Sequence, residues 1–190
     1  MAIREDAQAA RQPPTKIGFR GGGTIDVDNV PLTVLDQFIG KMREITKRYN
    51  VKLSADIFGR IVYNKDDSIG QKLENYAKHT DVIYPMLYPS HFTADKKRLA
   101  NPGFTIKEGT ENAIKRLEGT STEIMPWVQC FVYNIQHARV NLTQYVVLQV
   151  EAVEQTNARG WVAWNAKGDY KEVFQALEKI NKGPHPQPLS

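Results

Sequence analysis

The sequence predicts an α/β fold: one long helix, then four strand–helix units, between residues 31 and 182. Two observations predict it. Apolar runs closed by glycine or proline alternate with longer stretches of helical periodicity. The runs begin near residues 51, 81, 123 and 160, so they are spaced by about 30, 42 and 37 residues. A complete barrel of eight such units takes about 250 residues, roughly 31 per unit. Alternation at that pitch implies a parallel sheet. Two architectures satisfy it: a small doubly wound sheet, or the C-terminal half of a (β/α)8 barrel. Periodicity does not choose between them.

Residues 1–24 read as a disordered or irregular lead-in, polar and alanine-rich as far as Pro13-Pro14. Within it TKIGFR (15–20) suits a short strand, ended by Gly21-Gly22-Gly23. A glycine cluster cradles phosphate between a strand and a helix start. Here TIDVDNVP intervenes and no GK[ST] follows, so an ordinary turn is the stronger reading. Pro31 opens a helix on which Leu32, Leu35, Phe38, Ile39, Met42 and Ile45 recur at helical spacing. Asn50 suits its end. VKLSADIFG (51–59) is the first strand and SIGQKLENYAKH (68–79) a helix. DVIYPMLYP (81–89) is the second strand, followed by a loop over 90–103. FTIKEGTENAIKRLEG (104–119) is helical, stopped by Gly119. EIMPWVQCFVY (123–133) is the third strand, TQYVVLQVEAVEQTNARG (143–160) a helix and WVAWNA (161–166) the fourth strand. Asp169 and Glu172 have capping-box spacing for a last helix. Residues 25–182 thus form the folded domain, and the proline-rich 183–190 a disordered tail.

The composition excludes several classes. Of 190 residues, 41% are hydrophobic and 24% charged, an ordinary globular balance. The net charge of +4 comes from 25 Lys and Arg interleaved with 21 Asp and Glu, without the basic stripe of a nucleic-acid binder. Lys41, Arg43, Lys47 and Arg48, broken by Glu44, read as a solvated helix face. The single Cys130 excludes an intrachain disulfide and a multi-thiolate zinc site. The histidines lack metal-ligand spacing, so neither metal nor cofactor is expected. No apolar run approaches the roughly 20 residues that span a bilayer. MAIREDAQAARQPP lacks the apolar region of a signal peptide, so the expectation is either a cytoplasmic chain or one whose longer parent begins further upstream.

In both architectures the ligand site lies at the C-terminal ends of the strands. Strand alternation puts Lys52, Ser54 and Asp56 on one face of the first strand, with Asp56 near the exit. The second strand offers Tyr84 and, at its exit, Tyr88; His91 follows in the loop. The third offers Trp127 and Gln129, with Phe131 beyond, and the fourth Trp164 and Asn165. One carboxylate, an amide pair and several aromatics suit a polyhydroxylated ligand. Aromatic rings cover the C–H faces of a sugar, and amides and acids bind its hydroxyls. Taken singly, each residue has a plainer reading. A lone Asp at a strand end is more often a loop cap or ion-pair partner. Trp127, Trp164 and Tyr84 are more often core, and Cys130 is a packed small hydrophobe.

SADIFG (54–59), DVIYPMLYPSHF (81–92), MPWVQCF (125–131) and GWVAWNA (160–166), in this order, closely resemble the putative glycosyl hydrolase domain family. That family is a (β/α)8-barrel group related to the alpha-amylase-type glycosidases. The resemblance covers about residues 25–180. It implies that the four strands are the fifth to eighth of a partial (β/α)8 TIM barrel. It further implies hydrolysis of O-glycosidic bonds in a polysaccharide, with Asp56 as an acid/base or nucleophile candidate. Tyr84, Tyr88, His91, Trp127, Gln129, Trp164 and Asn165 would then bind the sugar. An intact relative would act in the cell envelope.

The departures from the family pattern set limits on this. Family members carry a carboxylate on a fourth strand resembling FDYIRFP; the corresponding KIGFRGGG (16–23) has no acid. Glycoside hydrolysis normally uses two carboxyl groups, about 5–5.5 Å apart for retention and 6.5–9.5 Å for inversion. Asp26, Asp28 and Asp81 are poorly placed for the second. The expectation is therefore a truncated, weakly active or inactive hydrolase. The rival from another class is a non-catalytic carbohydrate-binding or remnant domain. A weaker rival, a phosphate-ligand barrel, lacks the glycine pair expected after the last two strands. Open sheet edges would make the chain pair with a second copy or aggregate.

Overall fold

The structure is a computed structural model that describes residues 16–18, 24–26, 30–63 and 69–181. A short antiparallel hairpin comes first, β1 (Lys16–Gly18) against β2 (Thr24–Asp26). The glycine cluster, Asp28, the first fifteen residues and the C-terminal tail lie outside the described residues. Helix α1 (Val30–Arg48) follows and ends at Asn50, whose φ of 53° is the left-handed conformation that asparagine tolerates.

Four parallel strand positions then alternate with helices. β3 is Ser54–Phe58 and β4 Val82–Met86, paired in parallel with Asp56 opposite Tyr84. Between them lie a 3-10 turn (Gly59–Val62) and the short α2 (Leu73–Ala77). After β4 come a 3-10 turn (Pro89–His91), α3 (Lys96–Ala100) and α4 (Pro102–Arg116). The third position is divided into β5 (Glu123–Ile124), parallel to β4, and β6 (Trp127–Gln129), parallel to β7 (Val162–Trp164). A 3-10 turn (Ile135–Ala138) and α5 (Leu142–Glu154) separate β6 from β7, and α6 (Lys171–Asn181) closes the described chain. The spatial order follows the sequence and does not reverse, unlike that of a doubly wound sheet.

The division of the third strand has a simple cause. Met125 N–H donates to Ile83 O at 3.0 Å, and the next residue, Pro126, has no N–H. Pairing with β4 stops there. Pro126 O instead accepts from Val162 N–H at 3.0 Å, which starts the pairing with β7. The segment expected as one strand over 123–133 is thus two short ones. Two other expectations also change. The helix expected over 68–79 is confined to Leu73–Ala77 among the described residues. The loop expected over 90–103 contains α3, whose N-cap Asp95 accepts from Arg98 N–H at 3.0 Å.

One face of the strands packs against helices. Ile57, Ile83, Leu87, Ile124 and Val128 meet Ile106 and Ala113 of α4, Val146 and Val150 of α5, and Val173 and Ala176 of α6. Close approach needs glycine at three positions, among them Gly103, where a Cβ would fall 2.8 Å from Leu148 O. A Cβ on Gly59 would fall 2.4 Å from Met86 O, and one on Gly109 2.5 Å from a Leu87 methyl. Arg116 of α4 locks the first unit, donating to Glu74 at 2.7 and 2.9 Å and to Ile61 O at 2.5 Å. The opposite face, by alternation, carries Asp56, Phe58, Tyr84, Met86, Trp127 and Trp164, all exposed or half-buried.

Candidate functional site

Asp56 lies on this open face near the end of β3, its side chain exposed. Trp127 reaches over the neighbouring β4 position and donates its indole N–H to Asp56 Oδ1 at 2.7 Å. The Trp127 ring lies 6.1 Å from Tyr84 and 5.6 Å, edge-on, from Trp164. One carboxylate is therefore framed by three aromatic side chains from three strands. The packed rings fix the indole, and the indole fixes the carboxylate.

Beyond the strand ends the aromatics continue. Tyr88, Ser90, His91, Thr93, Phe131, Tyr133 and Trp164 line a cleft of about 610 Å3. A smaller apolar cleft of about 260 Å3, lined by Phe58, Gly59, Arg60, Met86 and Phe92, shares Tyr88 and His91 with it. His91 lines both. Its Nδ1 lies 3.0 Å from Ser90 Oγ, and its ring lies 5.4 Å from Tyr88 and 5.9 Å from Tyr133. Burial against these rings lowers its pKa, which favours the neutral imidazole. Burial first, and the Asp56 charge next, push the Tyr88 phenol above its ordinary range.

The two amides behave differently from the aromatics. Gln129 is fully buried. Its Oε1 accepts from Ser90 N–H at 3.2 Å, and its Nε2 donates to Phe131 O at 3.2 Å and Tyr133 O at 3.1 Å. Asn165 Nδ2 donates to Cys130 O at 2.6 Å and Asp169 O at 2.8 Å, while its Oδ1 accepts from Lys167 N–H at 2.9 Å. Both amides are engaged by the protein's own backbone. They hold the loops that shape the cleft and do not reach into it.

Two other acids, Asp81 and Asp95, are engaged elsewhere. Asp81 opens β4, accepting from Arg43 at 2.6 and 2.9 Å and from Leu53 N–H at 2.8 Å. Asp95 caps α3 and pairs with Arg98. Neither cleft sharing Tyr88 and His91 is lined by a carboxylate. Among the described residues no group of three His, Cys, Asp or Glu side chains could hold a metal ion. Cys130 is buried, and burial raises its thiol to about 12.

A family profile described as "Putative glycosyl hydrolase domain" matches residues 12–170. The chain belongs to this glycosyl hydrolase domain family. Among solved structures it is similar to the PgaB (BpsB) glycoside hydrolase domain from Bordetella bronchiseptica, with a TM-score of 0.52 and 13% sequence identity. The match covers 80% of this chain and 41% of that one, so the chain spans about two fifths of the solved domain. At that identity the likeness is one of fold. No curated protein matches the chain.

Within this family assignment, the residues that sequence reasoning passed over are Phe58, Arg60, Met86, Ser90, Thr93 and Tyr133. Their signal was position: Phe58 and Met86 end their strands, and the other four follow a strand exit by a few residues, where loops of parallel sheets build sites.

Proposed function

We propose that these strand–helix units are the C-terminal half of a (β/α)8 barrel and that their open face receives a polysaccharide segment. In this reading Asp56 is the carboxylate of a glycoside-hydrolase site, acting as acid/base or nucleophile. Trp127 positions it, and Tyr84 and Trp164 flank the sugar. Tyr88 and His91 line the clefts beyond. Gln129 and Asn165, placed on the sugar by the sequence, instead hold the walls. The observation that carries the proposal is the Asp56 carboxylate, fixed at 2.7 Å by Trp127 inside an aromatic frame at the strand exits. Family membership and the similar fold support it.

The chemistry asks for two carboxyl groups acting in concert. One protonates the leaving oxygen, and the other attacks the sugar or activates water. Among the described residues no acid lines either of these two clefts, so we expect weak turnover or none from this chain. The same observation favours a second reading, a non-catalytic carbohydrate-binding domain with the same aromatics. Titration and turnover on a panel of α- and β-linked oligosaccharides separate the readings. Turnover abolished by Asp56→Asn supports the hydrolase. Binding lost in Trp164→Ala without turnover in the parent supports the binding domain. Neither binding nor turnover on any glycan overturns both.

A further inference from the structure

Helix α1 carries an apolar surface that the candidate site does not use. Val34, Phe38, Met42 and Ile45 of α1, and Tyr49 in the turn just after its last residue, are 56, 60, 37, 46 and 74% exposed. With 3.6 residues per turn they fall in one stripe, an arc of about 80° and a length of about 22 Å. The helix has a separate inward face: Ile39 is buried, Arg43 is held by Asp81, and Asp36 lies 3.3 Å from His79 Nε2. Large side chains repeating at steps of four and three residues are the pattern of a helix that packs against another helix. A contiguous apolar surface of this kind marks an interface.

We propose that this stripe is the seam of a homodimer, in which α1 packs antiparallel against α1 of a second copy. Two observations select a second copy as the occupant. The stripe is nearly symmetric about its middle. Turned end over end, Val34 meets Tyr49, Phe38 meets Ile45, and Met42 meets its own counterpart near the twofold axis. A twofold interface needs such self-complementarity. The charges along one border of the stripe are self-complementary as well. Gln37, Lys41, Glu44 and Arg48 form that border, and Lys41 Nζ already lies 2.9 Å from Glu44 Oε2 within one chain. In an antiparallel pair this border faces itself. Lys41 then faces the second copy's Glu44 and Gln37 faces its Arg48, each twice. In a parallel pair the border would face the opposite side of the stripe, where Leu35 and Thr46 stand, and the charge match would be lost.

The seam differs from pairing through open sheet edges because it uses side chains and leaves the strands untouched. Sedimentation equilibrium of the full chain over a wide concentration range tests it, with circular dichroism to confirm folding of each variant. The expected result is a reversible dimer that Phe38→Glu with Ile45→Glu converts to a folded monomer. Lys41→Glu, which sets like charges against each other, weakens the dimer about tenfold or more. The double exchange Lys41→Glu with Glu44→Lys restores it. A single Met42→Cys is linked across the dimer by a short thiol cross-linker, whereas Val34→Cys, at the end of the stripe, is not. Cys130 is buried and stays silent. A monomer at every concentration overturns the proposal and leaves the stripe to a different polypeptide. A dimer indifferent to the stripe substitutions, or cross-linked through Val34→Cys, overturns it too.

Discussion

The indole N–H of Trp127 meets the Asp56 carboxylate at 2.7 Å although the two residues belong to strands separated by β4. Tyr84, opposite Asp56 in register, lies in between, with its ring 6.1 Å from the indole. The pair is exposed, so it contributes little to folding and acts mainly to orient the acid. Trp127→Phe keeps the ring and removes the donor. It is expected to leave the thermal midpoint within a few degrees of the parent while weakening any glycan affinity or turnover. Asp56→Asn keeps an oxygen for the indole and is expected to be equally stable. Large destabilisation by either change would show that the pair holds the fold rather than the site.

Gln129 presents the opposite case. Its buried amide serves three backbone groups, and Gln149 bonds the backbone of Gln129 in turn, accepting from its N–H and donating to its O, each at 3.0 Å. Gln129→Leu would leave Ser90 N–H and two carbonyls without that partner. Each buried polar group left unsatisfied costs about 1–3 kcal/mol. Only the Ser90 bond is buried, and the two carbonyls are part-buried and open to water, so a loss of roughly 2–4 kcal/mol in urea unfolding is expected, with the loops after β4 and β6 losing hydrogen-exchange protection first. A change below about 0.5 kcal/mol would show that water replaces the amide.

What the sequence disclosed and what it hid divide along physical lines. Strands β3, β4 and β7 were legible because short apolar runs end at glycine or at polar exits. The side each residue takes followed from alternation, so Asp56, Tyr84, Trp127 and Trp164 could be grouped before any coordinates. The break at Pro126 was hidden, because MPWV is apolar throughout and only the change of partner strand reveals it. Helix α3 was hidden because KKRLA lacks apolar periodicity and depends on the Asp95 cap. The roles of Gln129 and Asn165 depend on loops that return over the strand ends. Alternation supplies no information about that return path.

Trp164 tests the aromatic frame. It is 41% exposed, and its ring packs edge-on against Trp127. Trp164→Ala removes one edge-to-face contact, about 0.5–1.5 kcal/mol, and one wall of the larger cleft. Stability is expected to fall by that contact plus the burial of the covered part of the ring, together about 1–3 kcal/mol, while glycan affinity measured by calorimetry falls about tenfold or more. Unchanged affinity for a glycan that the parent binds would move the sugar away from this frame.

Cys130 reports on the integrity of the sheet. Its thiol is buried beside Val128 and its pKa is raised to about 12 by that burial, so almost no thiolate exists near neutral pH. The folded protein is expected to resist iodoacetamide. Labelling should proceed at the rate at which β6 opens and become complete in denaturant. Rapid labelling without denaturant would mean that the strand opens locally.

The ion pair at the start of β4 predicts an acid limit. Arg43 donates twice to Asp81, and Leu53 N–H donates a third time; the Arg43 bonds are the larger cause of a carboxyl pKa below its ordinary value. A depressed folded pKa contributes stability above the unfolded value, about 3.9, and that contribution is lost as pH falls through the folded value. Asp81→Asn removes the titration together with the charge. At pH 7 the variant is expected to unfold at lower urea than the parent, because α1 and the β3 entry lose their tie. As the pH falls below about 4 the parent loses its advantage, so the two midpoints should converge. Arg43→Met is expected to lie between them at neutral pH. It should also show a shallower acid slope than the parent, since Asp81 keeps only the Leu53 bond. Midpoints that stay equally far apart down to pH 3 would mean that the pair is not what couples this fold to protons.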